Sequence, residues 1–497
     1  MLPHSSILYQ NPSATVFLLD IPASIALAQQ LSPLTQSGTH ASTLPEKHKK
    51  RRYILSSPPL EIPYPPSSEP KTDAARAKVL ARIPRSERDF AERVEPLLFK
   101  ALNEIQDCYQ HGPEWCLSRH LLQNTDGQQG ATAVAGRYGK RRREETTSAQ
   151  DDEYPFSTGH LDIQTTDPSL GAGHPPLILS PGLNRFKYKG ELCNLLVKNT
   201  SLESATVATD SFYSSDGSGL MGHGAGNGNA KPQLRGHTCT VPPLSSFLLC
   251  NLAIATPSNT KRNLERPAPI PGLPSDKKFN LILLDPPWSN KSVRRSGHYQ
   301  MQSYSDSDML TKSICNILRV HSHIYPHTPS HLSPSPSGPD TNTNQVSEQS
   351  IAAIWITNSA KARNTAYESL TGAGFTVCEE WLWVKTTTDG HPVTPIEGLW
   401  RKPYEVLVIG KKQPLAEVSA EGVQTRVIVA VPDVHSRKPN LREVFERIFF
   451  SGSSTAQGQC GVQYSALEVF ARNLTAGWWA CGNEVLKFNS EEWWVNG

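Results

Sequence analysis

The stretch Phe279-Asn280-Leu281-Ile282-Leu283-Leu284-Asp285-Pro286-Pro287-Trp288 decides how the whole chain is interpreted. It begins with a largely apolar run of strand length, and the run stops at the carboxylate of Asp285. The two prolines that follow fix φ and lack a backbone donor, so we expect the carbonyl groups of Asp285 and Pro286 to point outward without a competing amide hydrogen. The sequence therefore predicts a buried strand that ends in a rigid array of hydrogen-bond acceptors beside a large aromatic ring.

Such an array suits a planar ring that carries an amino substituent. The Asp285 carboxylate and a carbonyl group of the proline turn can each accept one hydrogen of the amino group, while Trp288 stacks on the ring. Adenine has this shape, and two acceptors would favour a pyramidal amino nitrogen whose lone pair attacks a methyl sulfonium. For Asp-Pro-Pro alone, a plain strand-ending turn with a core tryptophan is an equal alternative, so the surrounding sequence decides.

The order of the apolar runs predicts the fold class. Runs of strand length alternate with segments of helical spacing in the second half of the chain. The predicted strands are residues 247–250, 279–284, 351–356, 375–384, 406–409 and 427–431, and the predicted helices are residues 306–320, 360–373 and 440–450. This alternation favours an α/β fold with a mostly parallel sheet and helices on both faces. Sheets of this type bind ligands beyond the carboxyl ends of their strands, where Asp285 falls.

Composition divides the chain into two regions. With 40 prolines and only 37% hydrophobic residues among 497, part of the chain is expected to be unstructured. We predict an N-terminal region, residues 1–240, that is partly disordered and contains one or two amphipathic helices within residues 73–122. Residues 241–497 are predicted to form the α/β domain, with a disordered insertion near residues 321–350 that is rich in Ser, Pro, His and Asn.

Cysteine usage and charge clusters predict the cell compartment of the protein. Nine cysteines without a CxxC pair favour free thiols in a reducing compartment and predict no metal site. No apolar run reaches transmembrane length and no signal-peptide pattern surrounds Val16, so we expect an intracellular protein without a membrane partner. Two basic clusters, residues 47–52 and 140–143, suit nuclear import or nucleic-acid contact, and they predict a nuclear location with a cytoplasmic one left open.

A basic loop follows the proline turn, and with it the chain resembles a known family. Lys291, Arg294 and Arg295 would suit phosphates that flank a target base, although an ordinary basic loop is the alternative. The turn and the loop together resemble the MT-A70 family of adenine methyltransferases, and within it the methyltransferase-like protein 4 group. Further segments resemble that group in the same order: Trp381-Leu382-Trp383-Val384-Lys385, Arg401-Lys402-Pro403-Tyr404-Glu405, His435-Ser436-Arg437-Lys438-Pro439, Phe470-Ala471-Arg472-Asn473-Leu474 and Gly482-Asn483-Glu484. The resemblance covers residues 241–497.

The resemblance implies a Rossmann-like methyltransferase that depends on S-adenosylmethionine and whose catalytic turn precedes the main cofactor segment. The catalytic residues it implies are Asp285, Pro286, Pro287 and Trp288, and the substrate-binding residues are Lys291, Arg294, Arg295 and Tyr299. The cofactor-binding residues it implies are Asn251, Asp285, Lys402, Arg472, Asn473, Asn483 and Glu484. Asn251 departs from the family, where this strand usually ends in aspartate. The amide keeps an acceptor but loses the charge, and the sequence leaves open whether this weakens cofactor binding.

The resemblance also implies a substrate. Methylation of the N6 amino group of adenine in RNA is expected, with small nuclear RNA as the target. A DNA adenine methyltransferase is one alternative, because the acceptor array recognises the base and not the sugar. A non-catalytic nucleic-acid-binding subunit is another, and the intact Asp285 turn argues against it. Nucleic acid is the expected partner in each case; a monomer is compatible with the sequence, which leaves the oligomeric state open.

Overall fold

The computed structural model describes residues 4–32, 52–65, 69–109, 114–122, 175–210, 237–252, 268–288, 307–323, 350–399, 401–412, 422–451 and 464–496. Within this part of the chain, twelve strands form one central sheet. In spatial order they are β1 (Ile7–Gln10), β2 (Val16–Leu19), β15 (Gln424–Ala430), β13 (Thr376–Lys385), β14 (Tyr404–Lys412), β12 (Ser350–Ile356), β11 (Leu281–Leu284), β16 (Ala466–Val469), β17 (Trp479–Gly482), β10 (Ser246–Leu249), β7 (Leu196–Lys198) and β5 (Leu177–Ile178).

The central sheet is mostly parallel, which confirms the predicted α/β class. Seven neighbouring pairs are parallel, and the antiparallel pairs are β1 with β2, β13 with β14, β14 with β12 and β10 with β7. Strands β12, β11, β16, β17 and β10 form a continuous parallel block, so their carboxyl ends share one edge. The division at residues 240 and 241 stays a prediction, and the sheet contains strands from both sides of it.

Helices cover both faces of the sheet. Those of the described residues are α1 (Ile21–Ala28), α2 (Asp73–Leu80), α3 (Arg85–Cys108), α4 (Ser307–His321), α5 (Ala360–Gly372) and α6 (Arg442–Phe445), which continues into a π-helical turn over Glu446–Phe450. On one face, Leu98 of α3, Ile314 of α4 and Ala366 of α5 share a core with Ile282 of β11. On the other face, residues of α1 and α6 share a core with Leu281 and Leu283. The sheet is therefore the middle of three layers.

Two helices, α2 and α3, lie within residues 73–122, and the described residues after Cys108 are not helical. Helix α3 buries a stripe of Phe90, Val94, Leu98 and Ile105, as the spacing predicts. Residues 114–116 form a bend, and His120 and Leu121 belong to a two-residue strand. The N–H of Trp115 donates to the Thr388 carbonyl at 2.8 Å, so distant backbone partners replace the local helical bonds.

Two three-stranded sheets complete the described part of the chain. One has the order β18 (Trp494–Asn496), β3 (Arg52–Ser56) and β4 (His120–Leu121), and the other has the order β6 (Gly182–Phe186), β8 (Ala205–Thr209) and β9 (His237–Val241). Short 3-10 turns span Lys189–Leu192, Lys487–Asn489 and Glu491–Trp493. Strand β3 lies in the N-terminal region, and it pairs with β18 near the opposite end of the sequence.

The expected insertion near residues 321–350 falls mostly outside the described residues. Its first residue, His321, is buried at the end of α4, and its last, Ser350, is buried at the start of β12. The eight cysteines among the described residues are all free. A search of the described helices finds none that is both long and apolar enough to span a membrane.

Candidate active site

Asp285 lies at the carboxyl end of β11, as predicted. Its backbone N–H donates to the Val469 carbonyl at 3.2 Å, which extends the ladder between β11 and β16 by one residue. Its side chain is 18% exposed; Oδ2 lies 3.3 Å from Nη1 of Arg472, and Oδ1 lies 3.5 Å from Nζ of Lys438. The carboxylate thus faces cations from two other segments, one after β16 and one before α6. Two cations on one carboxylate fix its direction and leave further lone pairs for a ligand.

The proline turn differs in one respect from the prediction. The N–H of Trp288 donates to the Pro286 carbonyl at 2.8 Å, so that carbonyl has a competing amide hydrogen after all. Because Pro287 has no N–H, the amide of Trp288 is the first one that can fold back onto the turn. One lone pair of the Pro286 carbonyl is used, and the other is free for an amino group.

Trp288 is held by a neighbouring strand. Its indole Nε1–H donates to the carbonyl of Trp355, in β12, at 2.8 Å, and the ring packs partly against the core. Trp355 in turn makes an edge contact with Trp383, with ring centroids 6.0 Å apart. The aromatic ring after the turn is therefore fixed in orientation and keeps a partly exposed face.

A carboxylate between two lysines supports the Asp285 side of the site. Oε1 of Glu405 lies 2.6 Å from Nζ of Lys385, and Oε2 lies 2.7 Å from Nζ of Lys438. Burial raises the pKa of the Glu405 carboxyl, but Lys438 and Lys385 outweigh this and hold the pKa well below its ordinary value. Burial lowers the pKa of Lys438, but the negative charges of Asp285 and Glu405 outweigh burial and raise this pKa above its ordinary value. Both groups are charged at neutral pH.

Arg472 forms a second bridge on the other side of Asp285. Its Nε donates to Glu484 at 2.9 Å, and its Nη1 also donates to the Ser436 carbonyl at 3.3 Å. Glu484 accepts from Lys487 at 2.8 Å. Burial raises the pKa of Glu484, but Lys487 and Arg472 lower it below the ordinary value. The ends of β11, β16 and β17 are joined by this one guanidinium group.

The loop that carries Lys438 is anchored by the residue before it. Arg437 is buried, forms an ion pair with Asp433 at 2.7 Å and donates to the Leu55 carbonyl of β3 at 2.9 Å. Ser436 has a left-handed backbone with φ of 66°, which is strained for a residue with a Cβ. The N-terminal strand β3 therefore helps to hold a strained loop against the site.

Asp285, Lys438 and Arg472 line a cleft on the face of the sheet that α1 and α6 cover. Pro286, Pro287 and Trp288 are not part of its lining, and Trp288 packs against the core of the opposite face. Open space of about 490 Å³, part of it bulk solvent, lies between the lining residues and the mouth of the cleft. The cleft is lined by Leu283, Asp285, Trp355, Ser436, Lys438, Pro439, Asn440, Leu441, Glu468, Phe470, Arg472, Asn473, Trp478 and Phe488. Glu468 of β16 is an acidic group on this wall; burial, and next Asp285, raise its pKa to about 8 against the effect of Arg472.

The cofactor residues implied by the sequence fall into two groups. Asp285, Arg472 and Asn473 line the cleft, and the buried Nδ2 of Asn473 has no hydrogen-bond partner among the described residues. Asn251, Asn483 and Glu484 follow β10 and β17 at the same sheet edge, and Asn483 is exposed. None of these three lines the cleft.

Lys402 stands apart from the other implied cofactor residues. Its Nζ lies 2.5 Å from Oε1 of Glu95 in α3 and 3.1 Å from the Ile396 carbonyl. It is absent from the lining of the described cleft. Its assignment to the cofactor stays a prediction. The substrate residues Lys291, Arg294, Arg295 and Tyr299 lie outside the described residues.

Sequence analysis missed three charged groups of the site. Lys438 and Glu405 lie within segments that resemble the family, but their roles depend on neighbours that only the folded sheet brings together. Glu468 carried a local signal, because it is a carboxyl group inside the otherwise apolar strand β16. A charge in a buried strand indicates a functional role more often than a packing role.

Sequence comparison with known proteins gives a family for the part of the chain that holds most of these residues. A family model described as MT-A70 matches residues 342–484. Residues 342–484 are therefore similar to the MT-A70 family. Strands β12 to β17 lie inside the matched segment together with Lys438, Glu468 and Arg472, whereas Asp285 precedes it. The resemblance found in the sequence is thereby confirmed.

Relatives of the MT-A70 domain come from fungi and animals. The chain is 35% identical over 226 residues to the N6-methyladenosine RNA methyltransferase MTA1 of Cryphonectria parasitica, covering 44% of this chain and 54% of the relative. It is 33% identical over 272 residues to the N(6)-adenine-specific methyltransferase METTL4 of Mus musculus, covering 53% and 46%. It is 27% identical over 219 residues to a DNA N6-methyl methyltransferase of Caenorhabditis elegans, covering 44% and 48%. The chain spans about half the length of these curated relatives.

Proposed function

We propose that this chain is an S-adenosylmethionine-dependent methyltransferase that acts on the N6 amino group of adenine in RNA. The observation that carries the proposal is the position of Asp285. It ends a central parallel strand, opens onto a cleft and is oriented by Lys438 and Arg472. An oriented carboxylate at the carboxyl edge of a parallel sheet suits recognition of an amino group.

The cleft residues fit the chemistry of the methyl donor. Lys438 offers a cation for a carboxylate, and Asp285 and Glu468 offer acceptors for an ammonium group or a sulfonium charge. The orphaned Nδ2 of Asn473 needs an acceptor such as a ribose hydroxyl, because a buried donor without a partner costs about 1–3 kcal/mol. S-adenosylmethionine, when bound, supplies an electrophilic methyl group on a positively charged sulfur.

The residues of the chain hold the adenine and exclude water. Asp285 accepts one hydrogen of the amino group, and the second lone pair of the Pro286 carbonyl accepts the other. Trp288, fixed by its bond to Trp355, stacks on the ring. Alignment of the amino nitrogen with the methyl group makes the main contribution to catalysis. Positioning two reactants in this way lowers the activation free energy of the transfer by several kcal/mol, up to about 7–11. The methylated amine is acidic and loses its proton to solvent.

RNA is proposed as the polymer because relatives with more than 30% identity include one named as an RNA methyltransferase. Small nuclear RNA is the proposed target within that class. DNA is the second candidate, supported by the relative named as a DNA methyltransferase.

We also propose a nuclear location, which the basic clusters at residues 47–52 and 140–143 support. Arg52, from the first cluster, belongs to the described residues and forms an ion pair with Glu491. A fluorescent fusion with both clusters changed to Gln is expected to lose nuclear accumulation.

The function is tested with the purified full chain, methyl-labelled S-adenosylmethionine and separate pools of total RNA, small nuclear RNA and genomic DNA. Label is expected at adenine N6 in RNA, and Asp285→Asn is expected to lower its rate by at least about 100-fold. Asp276→Asn is the matched control, since Asp276 is an exposed acid just before β11. Label in DNA alone would reject the RNA assignment. Donor binding without transfer to any pool would favour the non-catalytic alternative.

A further inference from the structure

Glu468 is an acidic residue in the lining of the cleft. It lies on β16 between buried Leu467 and Val469, level with Leu283 of β11 and Ala480 of β17. Its carboxyl group makes no hydrogen bond or ion pair with the described residues, whereas Asp285, Glu405 and Glu484 each have cationic partners. A carboxyl group in such surroundings ionises only when a nearby positive charge stabilises it.

Asp285 after β11 and Arg472 after β16 are the charged groups that act on Glu468 directly, and Glu468 in turn acts on the buried thiol of Cys481 in β17. The ion pairs of these two groups extend the cluster to Lys438, Glu405 and Lys385 beyond Asp285, and to Glu484 and Lys487 beyond Arg472. Burial and the negative charge of Asp285 raise the pKa of Glu468 to about 8, and Arg472 opposes them. The carboxyl group is therefore mostly protonated in the free protein at neutral pH.

The charge of a bound ligand changes the protonation equilibrium of Glu468. With Glu468 neutral, the cluster contains the cations Lys385, Lys438, Arg472 and Lys487 against the carboxylates Asp285, Glu405 and Glu484, which leaves one net positive charge. S-adenosylmethionine also has one net positive charge near neutral pH, because its sulfonium and ammonium groups outnumber its carboxylate. The demethylated product has a neutral sulfur and no net charge.

We propose that Glu468 gives up its proton when the methyl donor binds, and that the cleft thereby prefers the sulfonium donor over its demethylated product. The inference rests on the proposed function. On binding, the O–H bond of Glu468 breaks and the proton passes to solvent. Methyl transfer breaks the sulfur–carbon bond and forms the nitrogen–carbon bond, and the electron pair that remains on sulfur removes its positive charge. Glu468 then takes a proton back from solvent, which weakens the hold on the product.

The test is calorimetric titration of the full chain at pH 7 in buffers of different ionisation enthalpy. The slope of observed enthalpy against buffer ionisation enthalpy gives the number of protons released. With a pKa of about 8 in the free protein, release of up to about 0.9 proton from Glu468 is expected with S-adenosylmethionine. Clearly less is expected with S-adenosylhomocysteine. The wild type alone therefore tests the inference through the difference between two ligands.

Glu468→Gln and its control isolate the residue. Subtracting the variant from the wild type cancels the proton that the ligand's own amine releases. Glu468→Gln is expected to lack the proton release that Glu468 provides when the donor binds. It is also expected to lower the ratio of the affinity for donor to the affinity for product on the order of tenfold. Glu368→Gln, on the exposed side of α5, is expected to leave both unchanged.

A pH series gives a second readout. Wild-type affinity for the donor is expected to rise as pH increases from 6 to the pKa of about 8, by up to about tenfold per pH unit, and then to level off. Equal proton release by wild type and Glu468→Gln, or by the two ligands, overturns the inference and leaves the proposed function standing. Failure of the wild type to bind the donor contradicts the proposed function itself.

Discussion

Nη1 of Arg472 lies 3.3 Å from Oδ2 of Asp285, while Nε of the same guanidinium group lies 2.9 Å from Glu484. One side chain thus fixes the predicted catalytic carboxylate relative to the ends of two further strands. The planar guanidinium group makes both contacts at once, because its nitrogens donate in different directions.

Replacement of that guanidinium group tests its role as a bridge. Arg472→Lys keeps the charge but cannot reach Asp285 and Glu484 together, so we expect donor affinity to weaken on the order of tenfold. Calorimetric titration with S-adenosylmethionine measures the change. Arg447→Lys is the control, because Arg447 forms a comparable pair with Glu443 at the surface, at 2.8 Å. An unchanged affinity in Arg472→Lys would remove Arg472 from the site.

The two lysines on Glu405 allow a matched comparison. Both lie within 2.7 Å of its carboxylate, but Lys438 also lies 3.5 Å from Asp285. We expect Lys438→Met to lower kcat/KM for methyl transfer by about 100-fold and Lys385→Met by about tenfold, because only the first frees Asp285 from a cation. Steady-state kinetics separate the two, with thermal unfolding as a check on folding. Equal losses would mean that Asp285 does not depend on Lys438.

The orientation of Trp288 depends on one hydrogen bond. Trp288→Phe keeps an aromatic face but loses the donor to Trp355, so we expect KM for the nucleic acid to rise about fivefold, equivalent to about 1 kcal/mol. Trp383→Phe is the control, since the buried Nε1 of Trp383 has no partner among the described residues. A KM that changes equally in both variants would show that the bond to Trp355 is unimportant.

The raised pKa of Glu468 also predicts how the stability of the folded state depends on pH. Its pKa is about 8 in the folded chain against an ordinary value of 4.5, so the folded state binds this proton more tightly than the unfolded state. The destabilising effect of ionised Glu468 is absent below the unfolded pKa, grows between the two values and is complete above the folded one. Each pH unit in that window is worth at most about 1.4 kcal/mol. The Tm of Glu468→Gln minus that of wild type should therefore rise from pH 5 to pH 8, and a constant difference would contradict the shifted pKa.

Local patterns were sufficient to predict the sheet that carries the site. Strands β10, β11 and β12 are continuous apolar runs because both of their faces are buried, and such runs are visible in sequence. Strand β2 has the same pattern, yet its partner β15 lies in the last fifth of the chain, and nothing local indicates that pairing. The bend at Trp115 was not predictable from local sequence for the same reason, because its backbone partner is the distant Thr388.

The site was predictable where a residue adjoins a distinctive motif. Asp285, Arg472 and Asn473 were selected for that reason, and all three line the cleft. Lys402 and Lys438 could not be ranked from sequence, since each is a lysine before a proline in a segment that resembles the family. The fold separates them: Lys402 pairs with Glu95, and Lys438 faces Asp285.

The pairing of β2 with β15 has a consequence for synthesis of the chain. Arg426, in β15, donates to the carbonyl of Ala14, 412 residues earlier in the sequence. A ribosome that adds about 5–20 residues per second needs roughly 20–80 s to make the segment between them. For that time the Val16-Phe17-Leu18-Leu19 strand, fully buried in the finished sheet, has no β15 to pair with. The nascent chain is therefore expected to depend on a chaperone that shields an apolar strand until its distant partner has been translated.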